Sequence, residues 1–181
     1  KTPRPLRVLL PGAPHILLVR DGRDVLISRA FHALETGGGM LNDPLYAGRM
    51  VALQQTFLAD PELFRREPYR LLAEEQWVRT LARQWAQQMR HDLAVAAVMR
   101  ERGRTPLYEL RYERMRADVE SERASLYRFL GLDPAEASPI SAANRSAPGF
   151  ESETPNAFFR KGEVGDWTNY FSDAAKRWFK Q

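Results

Sequence analysis

The 181-residue chain is 44% hydrophobic and 28% charged, with 27 Lys and Arg against 23 Asp and Glu for a formal net charge of +4. That balance excludes a disordered chain and describes a globular one large enough for a single domain over residues 1–181. The absence of cysteine excludes disulfides, thiol catalysis and thiolate metal sites, and fits a reducing, cytoplasmic setting. No apolar run approaches the roughly 20 residues that span a bilayer, and no signal-peptide pattern is present, so no membrane partner is expected. The arginines suit an anionic ligand, but they alternate with glutamates along helices instead of forming a continuous basic stripe. No nucleic-acid partner is expected. The chain opens on Lys1 and reads as a fragment of a longer protein.

Residues 1–14 hold four prolines and a Pro11-Gly12 pair, the composition of a loop. The apolar run His15-Ile16-Leu17-Leu18-Val19 reads as a buried parallel strand. Arg20-Asp21-Gly22-Arg23-Asp24 turns the chain. Residues 25–34 then follow helical spacing, with Val25, Ile27, Ser28, Phe31 and Leu34 on the inner side, and Gly37-Gly38-Gly39 ends the helix. A strand, a turn and a helix make the first half of a βαβ unit, in which ligands gather beyond the carboxyl ends of the strands. Arg20 stands at that end and Ser28 about two helical turns further on. Both could reach one anion; equally, Arg20 could pair with Asp24 while Ser28 bonds back to a helix carbonyl.

The glycine run 37–39 follows a helix and is trailed by Met40, Leu41 and Asn42, so it lacks the context of a phosphate loop and reads as a hinge. Residues 44–72 suggest a helix and then irregular chain broken at Pro61 and Pro68, and 41–72 is read as an acceptor-side insertion or lid. Residues 73–102 form a long helix in which Trp77, Leu81, Trp85, Met89 and Leu93 are expected to bury one face, with His91 at the surface. Residues 106–111 give a second strand that ends at Tyr112-Glu113. Asp118 reads as an N-cap, followed by a helix with an apolar face of Val119, Leu126, Phe129 and Leu130 and a stop at Gly131. One more short helix is expected within 134–144, a loop over 145–155, and a final amphipathic turn over 173–179.

The stretch Phe158-Phe159-Arg160-Lys161-Gly162-Glu163-Val164-Gly165-Asp166-Trp167 sets two cations beside aromatics and glycines. It could hold a nucleotide phosphate and its base, or be a basic turn pinned to the core by its rings.

Three pieces, taken in order, resemble the PAPS-dependent sulfotransferases. Val19-Arg20-Asp21-Gly22-Arg23-Asp24-Val25 through Ser28 resembles the family's strand-turn-helix with an arginine and a serine eight residues later. Tyr112-Glu113-Arg114-Met115, with the helix end over 126–131, resembles its Tyr-Glu-Asp-Leu/Met segment and Phe-Leu-Gly. Arg160-Lys161-Gly162-Glu163-Val164-Gly165-Asp166-Trp167 resembles its C-terminal Arg-Lys-Gly-x-x-Gly-Asp-Trp signature. The resemblance implies an α/β fold, a parallel sheet flanked by helices and similar to P-loop kinases, here incomplete at the N-terminus.

It also implies in-line transfer of a sulfuryl group from 3'-phosphoadenosine 5'-phosphosulfate (PAPS) to a small-molecule acceptor with a hydroxyl or amine, without a metal. Arg20, Ser28, Arg160, Lys161 and the Gly162 backbone would hold the 3'-phosphate, Tyr112 would contact the adenine, and Phe158 would flank it. The family's phosphosulfate loop has no counterpart in these residues. Proline at position 3, in Lys1-Thr2-Pro3-Arg4-Pro5, stands where the family has its catalytic histidine. Neither His15 nor His32 has a motif to replace it, so no catalytic residue is assigned. The fragment is expected to bind nucleotide weakly and to lack catalysis by itself, and a non-catalytic nucleotide-binding or interaction module derived from the same fold is the alternative.

Overall fold

The computed structural model describes residues 13–36, 44–103, 105–136 and 161–180. Its chain divides into two compact units, one of Lys1–Asp21 with Ala86–Pro139 and the other of Gly22–Trp85 with Ile140–Gln181.

In the first unit the two expected strands, β1 (His15–Val19) and β2 (Leu107–Arg111), pair in parallel, with His15 opposite Leu107 and Val19 opposite Arg111. Parallel pairing lays their carboxyl ends side by side, so the residues that follow each strand emerge as neighbours. The expectation of a buried β1 needs correcting, because Ile16 is 43% and Leu18 54% exposed. Alternate side chains leave a strand on opposite faces, and the four consecutive apolar residues Ile16-Leu17-Leu18-Val19 fit one covered face as well as two. Among the described residues the sheet is this pair alone, and the rest of the regular structure is helical.

The second unit is built on α1 (Gly22–Thr36). Its buried stripe runs through Leu26, Ile27, Ala30, Phe31, Ala33 and Leu34. Ser28, read from the sequence as inward-facing, is exposed, because the stripe is set by 26, 30 and 33 as well as by 27, 31 and 34. Helix α2 (Pro44–Ala59), a short α3 (Leu63–Arg66) and a 3₁₀ turn (Pro68–Leu72) follow, interrupted at Pro61 and Pro68 as anticipated. Phe57, Phe64, Leu71 and Leu72 join the α1 core, and the Phe31 ring meets Phe57, Phe64 and Tyr170 edge-on. Burying each such side chain contributes about 1.5–3 kcal/mol.

Helix α4 (Glu75–Arg102) is the long helix of the sequence reading, but its buried face differs from the expected one. Trp77, Val78, Leu81 and Ala82 are buried near its start and Ala96 and Met99 near its end, whereas Leu93 is 42% exposed. Residues spaced by four advance about 40° per step around a helix of 3.6 residues per turn. A stripe that starts inside at Trp77 has therefore rotated to the far side by Leu93. His91 lies at the surface, as read.

Beyond β2, α5 (Tyr112–Ala117) and α6 (Val119–Phe129) complete the first unit's described helices, with a 3₁₀ turn at Pro134–Glu136. Asp118 caps α6 by accepting from the Ser121 N–H at 3.0 Å, as its sequence position predicts. The expected apolar face is only half buried, and Leu130 beyond its end is exposed. The one buried residue of α6 is Glu122. Its carboxylate accepts from Tyr108 Oη at 2.5 Å and from Arg114 Nε and Nη2 at 2.6 and 2.9 Å. A salt-bridged, hydrogen-bonded carboxylate thus joins α6 to β2, beside the contact of the Tyr108 and Phe129 rings, whose centroids lie 5.3 Å apart.

The Arg114 guanidinium, and after it the Tyr108 hydroxyl, hold the Glu122 carboxyl below the usual carboxylate range. A depressed folded-state pKa gives stability that is present above the unfolded value and lost as pH falls through the folded one. Glu122→Gln is expected to cost about 1–2 kcal/mol at neutral pH, from hydrogen bonds to a charged group with one exposed partner. In denaturant titrations the gap between the variant and the parent chain should close progressively below about pH 4.5. A gap independent of pH would show that the carboxylate's charge is irrelevant.

Candidate functional site

The turn after β1 and the start of α5 meet at the carboxyl ends of the paired strands. Because Val19 is opposite Arg111, the next residues, Arg20 and Tyr112, are neighbours, and the Arg20 guanidinium carbon lies 4.2 Å from the centroid of the Tyr112 ring. One residue further on, the Asp21 N–H donates to Glu113 Oε1 at 2.7 Å. These contacts join the first two pieces of the sequence pattern within one unit.

The third piece is joined to α1 in the other unit, through a residue that the sequence reading placed only as a candidate partner for Arg20. Asp24, 3% exposed in the first turn of α1, accepts from the Gly165 N–H at 2.8 Å and from the Trp167 N–H at 2.9 Å, one on each carboxylate oxygen. Gly165 makes its bond with φ at +82°, in the left-handed region that favours glycine, and no neighbouring atom crowds it there. The requirement at that position is one of backbone conformation. Next to it, the Arg23 guanidinium carbon lies 3.7 Å from the Trp167 ring centroid, and Trp167 opens the short helix α7 (Trp167–Tyr170). The final helix, α8 (Asp173–Phe179), follows where an amphipathic turn was expected, and Phe171 and Phe179 anchor this end in the core.

Gly22 has a different requirement. It is buried at the start of α1, and a Cβ built there would stand 2.6 Å from three ring atoms of Trp85. The indole occupies the space where any side chain would go.

Within the Asp24-bound turn, Lys161 Nζ lies 2.9 Å from Asp166 Oδ1 and 2.8 Å from Glu163 Oε2. Partial burial pulls the lysine's pKa down, but the hydrogen bonds to Glu163 and Asp166 outweigh it and hold the ammonium well above the ordinary lysine value. Asp166 is buried and also accepts from Asn169 Nδ2 at 3.0 Å, which fixes it more firmly than the exposed Glu163.

Of the sequence-predicted residues, Lys161 and Gly162 therefore share a unit with Ser28, one helical turn beyond Asp24, and Ser28 presents its side chain to solvent. Arg20 and Tyr112 stand together in the other unit. Phe158, Arg160 and Pro3 lie outside the described residues. His15 is buried, with Nδ1 2.6 Å from the Ala13 carbonyl oxygen, and His32 is exposed on α1. Asp24, Glu113 and Asp166 were not identified from the sequence as organising residues, although each lies inside one of its three motif pieces. No group of three or more His, Asp and Glu side chains that could hold a metal occurs among the described residues. No helix among them is long and apolar enough to cross a membrane.

Removing the Asp24 carboxylate deletes two charge-assisted hydrogen bonds and leaves two N–H groups without an acceptor, so Asp24→Ala should lower the unfolding free energy by about 2–4 kcal/mol in chemical denaturation. Gly22→Ala should cost about 1–3 kcal/mol by overpacking. Pairing it with Trp85→Leu should recover part of that loss if the indole is the obstacle, as a double-mutant cycle would read.

No curated protein and no solved structure matches the chain significantly. The family model described as the sulfotransferase domain matches residues 5–181, a span that contains all three motif pieces. The chain belongs to the sulfotransferase domain family.

Proposed function

We propose that the chain carries the adenosine 3'-phosphate half of a PAPS site, in a protein that moves the sulfuryl group to a hydroxyl or amine acceptor. The observation that carries this reading is the pair of hydrogen bonds from Gly165 and Trp167 to Asp24. They hold a turn bearing Lys161 and Gly162 against the helix that bears Ser28, although more than 140 residues separate the partners in sequence. Membership of the family supports sulfuryl transfer in general. The choice of PAPS rests on the residues assigned to it.

Arg20, Ser28, Arg160, Lys161 and the Gly162 N–H are assigned to the 3'-phosphate, and Tyr112 and Phe158 to the adenine. Arginine presents a rigid fork of donors, lysine a compact charge, and serine a single rotatable hydroxyl; such a set matches the three acceptor oxygens of a terminal phosphate. Gly162, with φ at +60°, adopts a left-handed conformation in a residue whose lack of a side chain lets a ligand approach its backbone. PAPS, when bound, supplies the activated sulfuryl group. The chain's own residues bind the 3'-phosphate handle and orient the nucleotide from it. The segment 41–72 is assigned to the acceptor side, and the parallel β1–β2 pair supports a P-loop-kinase-like fold.

Calorimetric titration with adenosine 3',5'-bisphosphate tests the reading. Ser28→Ala should weaken binding a few-fold, and Arg20→Ala combined with Arg160→Ala by about 100-fold or more, from the loss of several charge-assisted bonds. Unfolding midpoints of the variants should stay near that of the parent chain. Undiminished affinity in the double variant would return both arginines to purely structural roles.

A further inference from the structure

We infer that Tyr112 acts on the 3'-phosphate through Arg20, as a positioning residue whose ring holds the guanidinium in place and so sets the preference for nucleotides that carry a 3'-phosphate. This rests on the assignment of Arg20 to that phosphate.

Three features place Arg20. Its preceding residue, Val19, is fixed in the parallel ladder opposite Arg111. Its following residue, Asp21, is tied by its N–H to Glu113 Oε1 at 2.7 Å. Its guanidinium carbon lies 4.2 Å from the Tyr112 ring centroid. The backbone of Arg20 is thus held on both sides by the neighbours of Tyr112, and its side chain by Tyr112 itself. Tyr112 in turn is the first residue of α5, directly after an extended Arg111, so its own backbone is set by the strand-to-helix junction.

An arginine on a flexible stem samples many rotamers, whereas one resting on an aromatic face is restricted while its N–H donors still point outward from the rim of the guanidinium. That is the geometry a forked phosphate contact requires. The same contact limits the other role assigned to Tyr112. The part of the ring covered by Arg20 cannot also stack on a base, so adenine is confined to the opposite face or the edge.

The inference is tested by comparing adenosine 3',5'-bisphosphate with adenosine 5'-monophosphate in calorimetric titrations of the parent chain and of Tyr112→Phe and Tyr112→Leu. The parent chain should prefer the bisphosphate, and Tyr112→Phe, which keeps the ring face, should retain that preference. Tyr112→Leu should reduce it about tenfold, beyond any equal loss that its adenine contact imposes on both nucleotides. Equal weakening toward both ligands would make Tyr112 an adenine contact only and overturn the inference, as would an unchanged preference in Tyr112→Leu. Arg20→Lys gives a check that leaves the aromatic in place. Losing the flat fork while keeping the charge should lower the preference similarly, and full retention of it would overturn the inference. A parent chain that binds both nucleotides equally would remove the 3'-phosphate reading itself, a failure distinct from any change confined to the variants.

Discussion

A buried carboxylate with two backbone N–H donors organises the motif-bearing end of the second unit. Asp24 uses each oxygen for one amide of the turn it binds, Gly165 on one side and Trp167 on the other. Two amides separated by one residue define a direction as well as a distance, so the turn is oriented about α1 as well as attached to it. The contact tolerates little substitution. Asparagine would offer one acceptor and then a donor facing a donor, and glutamate would push the turn outward by a methylene. Burial raises the stakes, since an amide N–H stranded there loses its water as well as its partner.

The surroundings of Asp24 reinforce the same restraint from three directions. Trp85 fills the space over Gly22, so α1 begins close beneath the indole. Arg23 covers the Trp167 ring from the next position along the helix. Asn169 and Lys161 converge on Asp166, which closes the turn upon itself. In the other unit the logic is repeated with different groups, because Glu113 binds the amide after Arg20 and Glu122 gathers Tyr108 and Arg114. Carboxylates accepting from backbone amides and arginines, together with ring contacts such as Trp167 with Phe171, hold the motif-bearing turns in place.

Much of this framework was legible in the residues, and the parts that were not have identifiable causes. Both strands, the Asp118 cap and the breaks at Pro61 and Pro68 follow from local chemistry that needs no knowledge of distant chain. The burial of β1 did not, because an apolar run does not reveal whether one face or two is covered. The inner face of α4 was misjudged where a spacing of four outran the helical period, and that of α1 where Ser28 was counted among its core positions. Asp24 lay in plain view, yet its donors are more than 140 residues away, and no local pattern reports such a bond. The family's signatures marked which turns matter; which side chains hold those turns emerged only from the fold. The division into two compact units has no signature in composition, since α4 passes from one to the other without a break in its helix.

Lys161 shows how such a framework reshapes the charge it displays. An ammonium has three donors, and Asp166 and Glu163 take two of them. What remains is a single donor, narrower in direction than the diffuse attraction of a solvent-exposed lysine. Lys161 therefore behaves as an aimed donor inside a cluster where two carboxylates outweigh its one charge. An anion approaching from the wrong side meets carboxylate first, so recognition at this turn depends on angle of approach before it depends on charge.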